Sequence, residues 1–135
     1  MKRGTRKWRR RSGNVAIEYG LILPAFLLFV IGIIDVGRLL WTYTTLARAV
    51  EAAARCGAID VNNCATAAQI QTRAVSEAWG LTVATADFTV SSESCGIEVT
   101  GTYNFVWAIP AVVASSPFGT LALSARGCYS PRPVP

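Results

Sequence analysis

The chain has 135 residues, is about half apolar, contains no histidine and carries a net charge of +5. That length leaves room for one membrane helix and one small domain. Lys2, Arg3, Arg6, Lys7, Arg9, Arg10 and Arg11 give +7 before Gly13, leaving six Arg against eight acids, or −2, for the remainder; a total so confined to one end does not define a nucleic-acid-binding surface.

The first predicted element joins the basic block to a membrane-length apolar run. Gly20 to Ile34 contains no charge, and counting from Asn14 to Ile34 gives 21 residues, enough to cross a bilayer. The positive-inside rule places residues 1–13 in the cytoplasm and everything beyond the helix across the membrane. A cleaved secretory signal lacks its small-residue exit, because Asp35, Val36, Gly37 and Arg38 follow Ile34. A twin-arginine signal fails as well, since Ser-Gly-Asn follows Arg10-Arg11. Pro24 removes a backbone donor, so a kink or loosened turn is expected there.

Glu18 is the one carboxylate at the head of this run. An ionisable side chain at the centre of a bilayer costs roughly 2.5 to 3.5 kcal/mol, and such groups persist where they have a partner and a task. If the chain were cut between Gly13 and Asn14, the new α-amine would lie one helical turn from Glu18, and the pair could neutralise each other within one subunit or between neighbours. Snorkelling of Glu18 to the headgroups is the plainer account. Spacing alone leaves both open.

Beyond the span, Leu39, Tyr43, Leu46, Val50 and Ala53 recur in steps of four and three, and Glu51 and Arg55 stand at i, i+4. The spacing predicts that the helix continues to Arg55, with Gly57 as its stop. From Asn14 to Arg55 it would measure about 63 Å, of which the hydrocarbon core takes about 30 Å. Its apolar stripe could be a coiled-coil seam, but packing on the chain's own sheet is the simpler expectation. A second helix is predicted from about Cys64 to Trp79, capped by Asn63 and ended by Gly80. Three strands follow: a short one at Phe88 and Val90, a long alternating one through Ile97, Val99, Tyr103, Phe105 and Trp107, and a third at Leu121, Leu123 and Ala125. Their order favours an antiparallel meander with helix covering one face. Phe105 to Val113 is almost wholly apolar; it could cross the core, or touch the membrane surface or a neighbouring subunit. The Pro-rich tail, 130–135, does not pair regularly.

The four cysteines, Cys56, Cys64, Cys95 and Cys128, fall on the translocated side, where disulfides persist. Three pairings are open, and Cys56 with Cys64 plus Cys95 with Cys128 is the favoured one. Without histidine or a Cys-x-x-Cys pair, neither a metal site nor a cysteine nucleophile is implied. No cofactor is called for. An enzyme is not expected, for want of a nucleophile elbow or phosphate loop.

Gly13-Asn14-Val15-Ala16-Ile17-Glu18-Tyr19, then Leu21-Ile22-Leu23-Pro24, resembles the start of TadE-like proteins, pilin-like subunits of the tight-adherence (Tad/Flp) pilus system. Asp35-Val36-Gly37-Arg38 and the alanine-rich stretch from Ala47 to Arg55 continue the likeness. The resemblance implies processing by a prepilin peptidase after Gly13, a role for Glu18 and Tyr19 in recognition or assembly, and partners among pilin-like subunits and the pilus assembly machinery as well as the bilayer, with no nucleic acid.

The expected architecture is therefore α+β and membrane-anchored. It comprises a basic leader (1–13), a TadE-like segment (14–57, with the transmembrane helix at about 15–37), a small extracytoplasmic domain (58–129) and the tail (130–135). A bacterial inner-membrane minor pilin or pseudopilin is the function this favours. An uncleaved membrane-anchored binding or sensor module is the alternative.

Overall fold

In a computed structural model, which describes residues 12–108 and 119–130, a single helix runs from the apolar segment into the domain. Helix α1 spans Ser12–Ile59, 48 residues or about 72 Å. Helix α2 spans Ala67–Glu77, a 3-10 turn covers Thr85–Asp87, and strands β1 (Phe88–Glu93), β2 (Gly96–Val106) and β3 (Thr120–Tyr129) complete the fold. The sheet is antiparallel in the order β1-β2-β3. α1 lies across β2 and β3, and α2 packs along α1 and toward β1. A long helix, a short helix and a three-stranded meander are the architecture the periodicities predict.

Small residues let α1 lie close to the sheet. Val99 pairs with Gly127 and Gly101 with Ala125 in the register of β2 and β3. A Cβ on Gly127 would meet the Glu51 backbone at 2.9 Å, and one on Gly101 would meet Phe88 and Val50 at 2.8 and 2.9 Å. Leu46, Ala49, Val50 and Ala53 descend onto this seat and are fully buried, with Phe88, Val99, Ile70 and Ala74 closing the core.

Four expectations need correction. The stripe on α1 is rotated, because Tyr43 is 48% exposed while Thr42 and Thr45 are buried; the short Thr side chains fit the close helix–sheet contact where a tyrosine would not. Gly57 does not stop α1, which continues to Ile59. The residue is instead a contact point, since an added Cβ would lie 2.7 Å from Ile70 Cδ1. Nor does α2 begin at Cys64. Thr66 is its cap, accepting from the Gln69 N–H while the Gln69 side chain accepts from the Thr66 N–H, a reciprocal box that satisfies two donors. Asn63 belongs to the preceding turn, where its amide donates to Asp60 Oδ2 at 2.8 Å. Finally, the ion pairs among the described residues are Asp35 with Arg38, Arg73 with Glu77 and Glu98 with Arg126, and Glu51 with Arg55 is not one of them.

Gly80 has φ +81°, and its missing side chain is what lets Trp41 sit against it, 2.6 Å from where a Cβ would be. Trp41 then meets Trp79 edge-on, with centroids 6.1 Å apart.

Candidate functional site

From Ile17 to Ile34 the large apolar side chains of α1 stand open, Leu21 at 74% and Phe29 at 66% exposure. A continuous apolar surface of this size marks contact with a membrane or another protein. The helix is long and apolar enough to cross a bilayer. Glu18 and Tyr19 are exposed at its head. Gly13 and Asn14 lie in the first turn of the same helix, which sets Asn14 and Glu18 one turn apart at i, i+4. Pro24 lies inside α1, which stays helical on both sides; the Gly20 carbonyl thereby loses its usual i+4 donor. Residues on the N-terminal side of Ser12, and so most of the basic leader, fall outside the described region, as do the tail from 131 and the apolar stretch from 109 to 118.

At the C-terminal end of the apolar run the structure assembles a site that the sequence marked as a boundary and as part of the family likeness, without a role for its residues. The Asp35 side chain is completely buried. Its Oδ1 accepts from Arg38 Nη1 at 2.8 Å, and its Oδ2 accepts from the Ala108 N–H at 2.9 Å, across 73 positions of sequence. Both carboxylate oxygens are thus used, which is what a buried charge requires. The Arg38 guanidinium lies 5.4 Å from the Phe105 ring centroid, within cation–π range. Phe105 in turn meets Trp107 edge-on at 5.3 Å. This chain of contacts fastens the end of β2 to α1. The Asp35–Arg38 spacing at i, i+3 hinted at a local pair, but nothing local signals Ala108.

The cysteines pair as Cys56 with Cys64 and Cys95 with Cys128, with Cα atoms 5.7 and 6.2 Å apart. The first ties the end of α1 to the chain leading into α2. Between them Asp60 accepts from the backbone N–H groups of Asn62 and Asn63, both at 3.1 Å. The Asn63 side chain, followed by these backbone donors, holds the Asp60 carboxyl below its ordinary value. The second joins the β1–β2 turn to β3. Glu98 lies close to this bridge, but both sulfurs are already bonded to each other. An open groove of about 710 Å³ runs between α1 and α2, with Arg55, Asp60, Gln69 and Arg73 on its walls. Its charges do not converge on one point, and Arg73 is engaged by Glu77.

These features define a class: a small disulfide-stapled α+β domain carried on one long helix whose free portion fits a membrane anchor. Residues 13–55 match the model of the family described as TadE-like protein, so the resemblance read from Gly13 to Arg55 holds over that segment. No curated protein and no solved structure matches the chain.

Proposed function

We propose that the chain is a single-pass inner-membrane minor pilin or pseudopilin that assists assembly or initiation of a Tad pilus. Its role is structural and non-catalytic. The basic leader lies in the cytoplasm and the disulfide-bonded domain on the far side of the membrane. Prepilin peptidase removes the leader after Gly13, and the amine of Asn14 pairs with Glu18 in the mature helix. The observation that supports this best is the match over residues 13–55, whose N-terminal half, through Ile34, keeps an apolar surface that the domain leaves largely uncovered. Glu18 stands exposed at the head of that surface, where an adjoining subunit could reach it.

Mass spectrometry of the full chain co-expressed with its cognate prepilin peptidase tests the reading. A mature protein beginning at Asn14 is expected, and one beginning at Met1 counts against it. Glu18→Ala should abolish assembly while leaving membrane insertion intact. An uncleaved tether for a sensor module would be indifferent to that change.

A further inference from the structure

The geometry points to a second membrane contact: the end of the β2–β3 hairpin that carries Val106 and Trp107 sits in the extracytoplasmic leaflet of the bilayer that α1 crosses. This rests on the reading of α1 as a span and adds a face of the folded domain to it.

Four observations carry it. Trp107 closes a groove of about 500 Å³ whose other walls are Leu28, Phe29, Gly32, Ile33 and Val36, mostly from the charge-free run of α1. Leu28 lies seven residues, about 10 Å along the helix, on the N-terminal side of Asp35. The end of β2 therefore reaches down alongside the span instead of stopping above it. Next, Val106 alternates with the buried Phe105 along the strand and is 58% exposed, and Leu121, paired with Phe105, is 39% exposed. This end of the hairpin thus offers apolar surface on more than one side. In addition, no charged residue occurs from Val99 to Ala108 or from Gly119 to Ala125, so the described end of the hairpin takes no unpaired charge into hydrocarbon. The one carboxylate at this level, Asp35, is sealed by Arg38 and the Ala108 N–H.

Lipid is the occupant because the surface is continuous with the span and because the group at its outer margin suits an interface. Arg38 is half exposed at the point where the apolar run ends, placed to meet headgroup phosphates, and tryptophan is favoured at that depth.

The test uses the full chain reconstituted at low protein-to-lipid ratio in phosphatidylcholine/phosphatidylglycerol vesicles with brominated acyl chains, which quench only fluorophores in contact with them. One protein keeps Trp107 alone (Trp8→Phe, Trp41→Phe, Trp79→Phe). A second carries in addition Trp107→Phe and Phe29→Trp, reporting on the span. A third carries Trp107→Phe and Val106→Trp, an exposed position that tolerates the ring without repacking. Brominated chains should lower the emission of all three roughly twofold or more, as for an aromatic side chain at the hydrocarbon margin. Quenching of the Phe29→Trp protein without quenching of either hairpin probe overturns the leaflet contact and leaves the span standing. Absence of quenching in all three overturns both. Shielding of the hairpin probes from aqueous iodide that appears only at high protein-to-lipid ratio gives the face to a second copy of the chain and overturns the lipid assignment.

Discussion

Asp35 illustrates why a charge count along a sequence underestimates a residue. As a letter it marks where an apolar run ends; in the fold it is a buried acceptor whose two oxygens each serve a donor among the described residues, Arg38 and the Ala108 N–H. The two partners are not equivalent. Arg38 is half exposed and keeps water when its partner is lost, whereas the Ala108 N–H would be left without this acceptor. Asp35→Ala should therefore destabilise the native fold by about 1.5 to 3 kcal/mol, the range for hydrogen bonds to a charged group. Arg38→Ala leaves the fully buried Asp35 carboxylate without that cation and should cost as much or more, about 3 kcal/mol, as for a buried charge that loses its partner. Asp35→Asn, which removes the charge and retains an acceptor for Ala108, should cost least. Denaturant unfolding of the full chain in detergent, followed by protease resistance, orders the three; an Asp35→Asn loss equal to that of Asp35→Ala would show that the Ala108 contact contributes nothing. Local spacing exposed Glu18 and its relation to Asn14, because an i, i+4 distance needs only a helix. It could not expose Asp35 with Ala108, which requires knowing where a strand 70 residues on will end.

At the level of elements, existence and type were legible, and the facing of each was less so. Alternation identified β2, because Val99, Gly101 and Phe105 occupy one face and are buried. The 3.6-residue pattern identified α1, yet it assigned Tyr43 inward and passed over Thr42 and Thr45. Hydrophobicity ranks tyrosine above threonine, while a helix seated within a few ångströms of a sheet selects for size. The same mismatch explains Gly57, where a helix-ending residue in sequence serves as a packing gap in the fold. Glycine positions give a sharp comparison on this point. At Gly57 an added Cβ meets the tip of the Ile70 side chain, which can shift; at Gly127 it meets the backbone of α1 at Glu51, which cannot without moving the helix. Gly127→Ala should cost about 2 to 3 kcal/mol and Gly57→Ala about 1 kcal/mol or less, within the range for overpacking. Unfolding midpoints of the two variants under matched detergent conditions check the order.

For the whole molecule, the disulfides act on different lengths of chain. Cys56–Cys64 closes a separation of 8 and Cys95–Cys128 one of 33. On loop-closure entropy these contribute about 2.5 and about 3.7 kcal/mol. Replacing Cys95 and Cys128 with serine should therefore lower stability by roughly 1 kcal/mol more than replacing Cys56 and Cys64. Comparing denaturation midpoints of the two double variants measures the difference, and the reverse order would show that the short bridge does more than restrict the unfolded chain. Spacing favoured this pairing in the sequence without excluding the other two, and the expectation that the cysteines lie across the membrane rested on the basic N-terminus. The family-like segment ends at residue 55, and the domain beyond it was legible as a helix and a meander packed on the stripe of α1, with the attachment of Ala108 to Asp35 hidden.

That attachment has a mechanical consequence. α1 passes from the apolar run to the sheet as one helix, and the Asp35 link to Ala108 adds a second fastening a few turns below the sheet's main seat on α1. Two fastenings on a single rod resist rotation as well as separation. The domain is held as a blade fixed to its shaft, so a lateral pull on the sheet becomes a bending moment on the apolar length of the helix, and a twist of that helix turns the sheet with it.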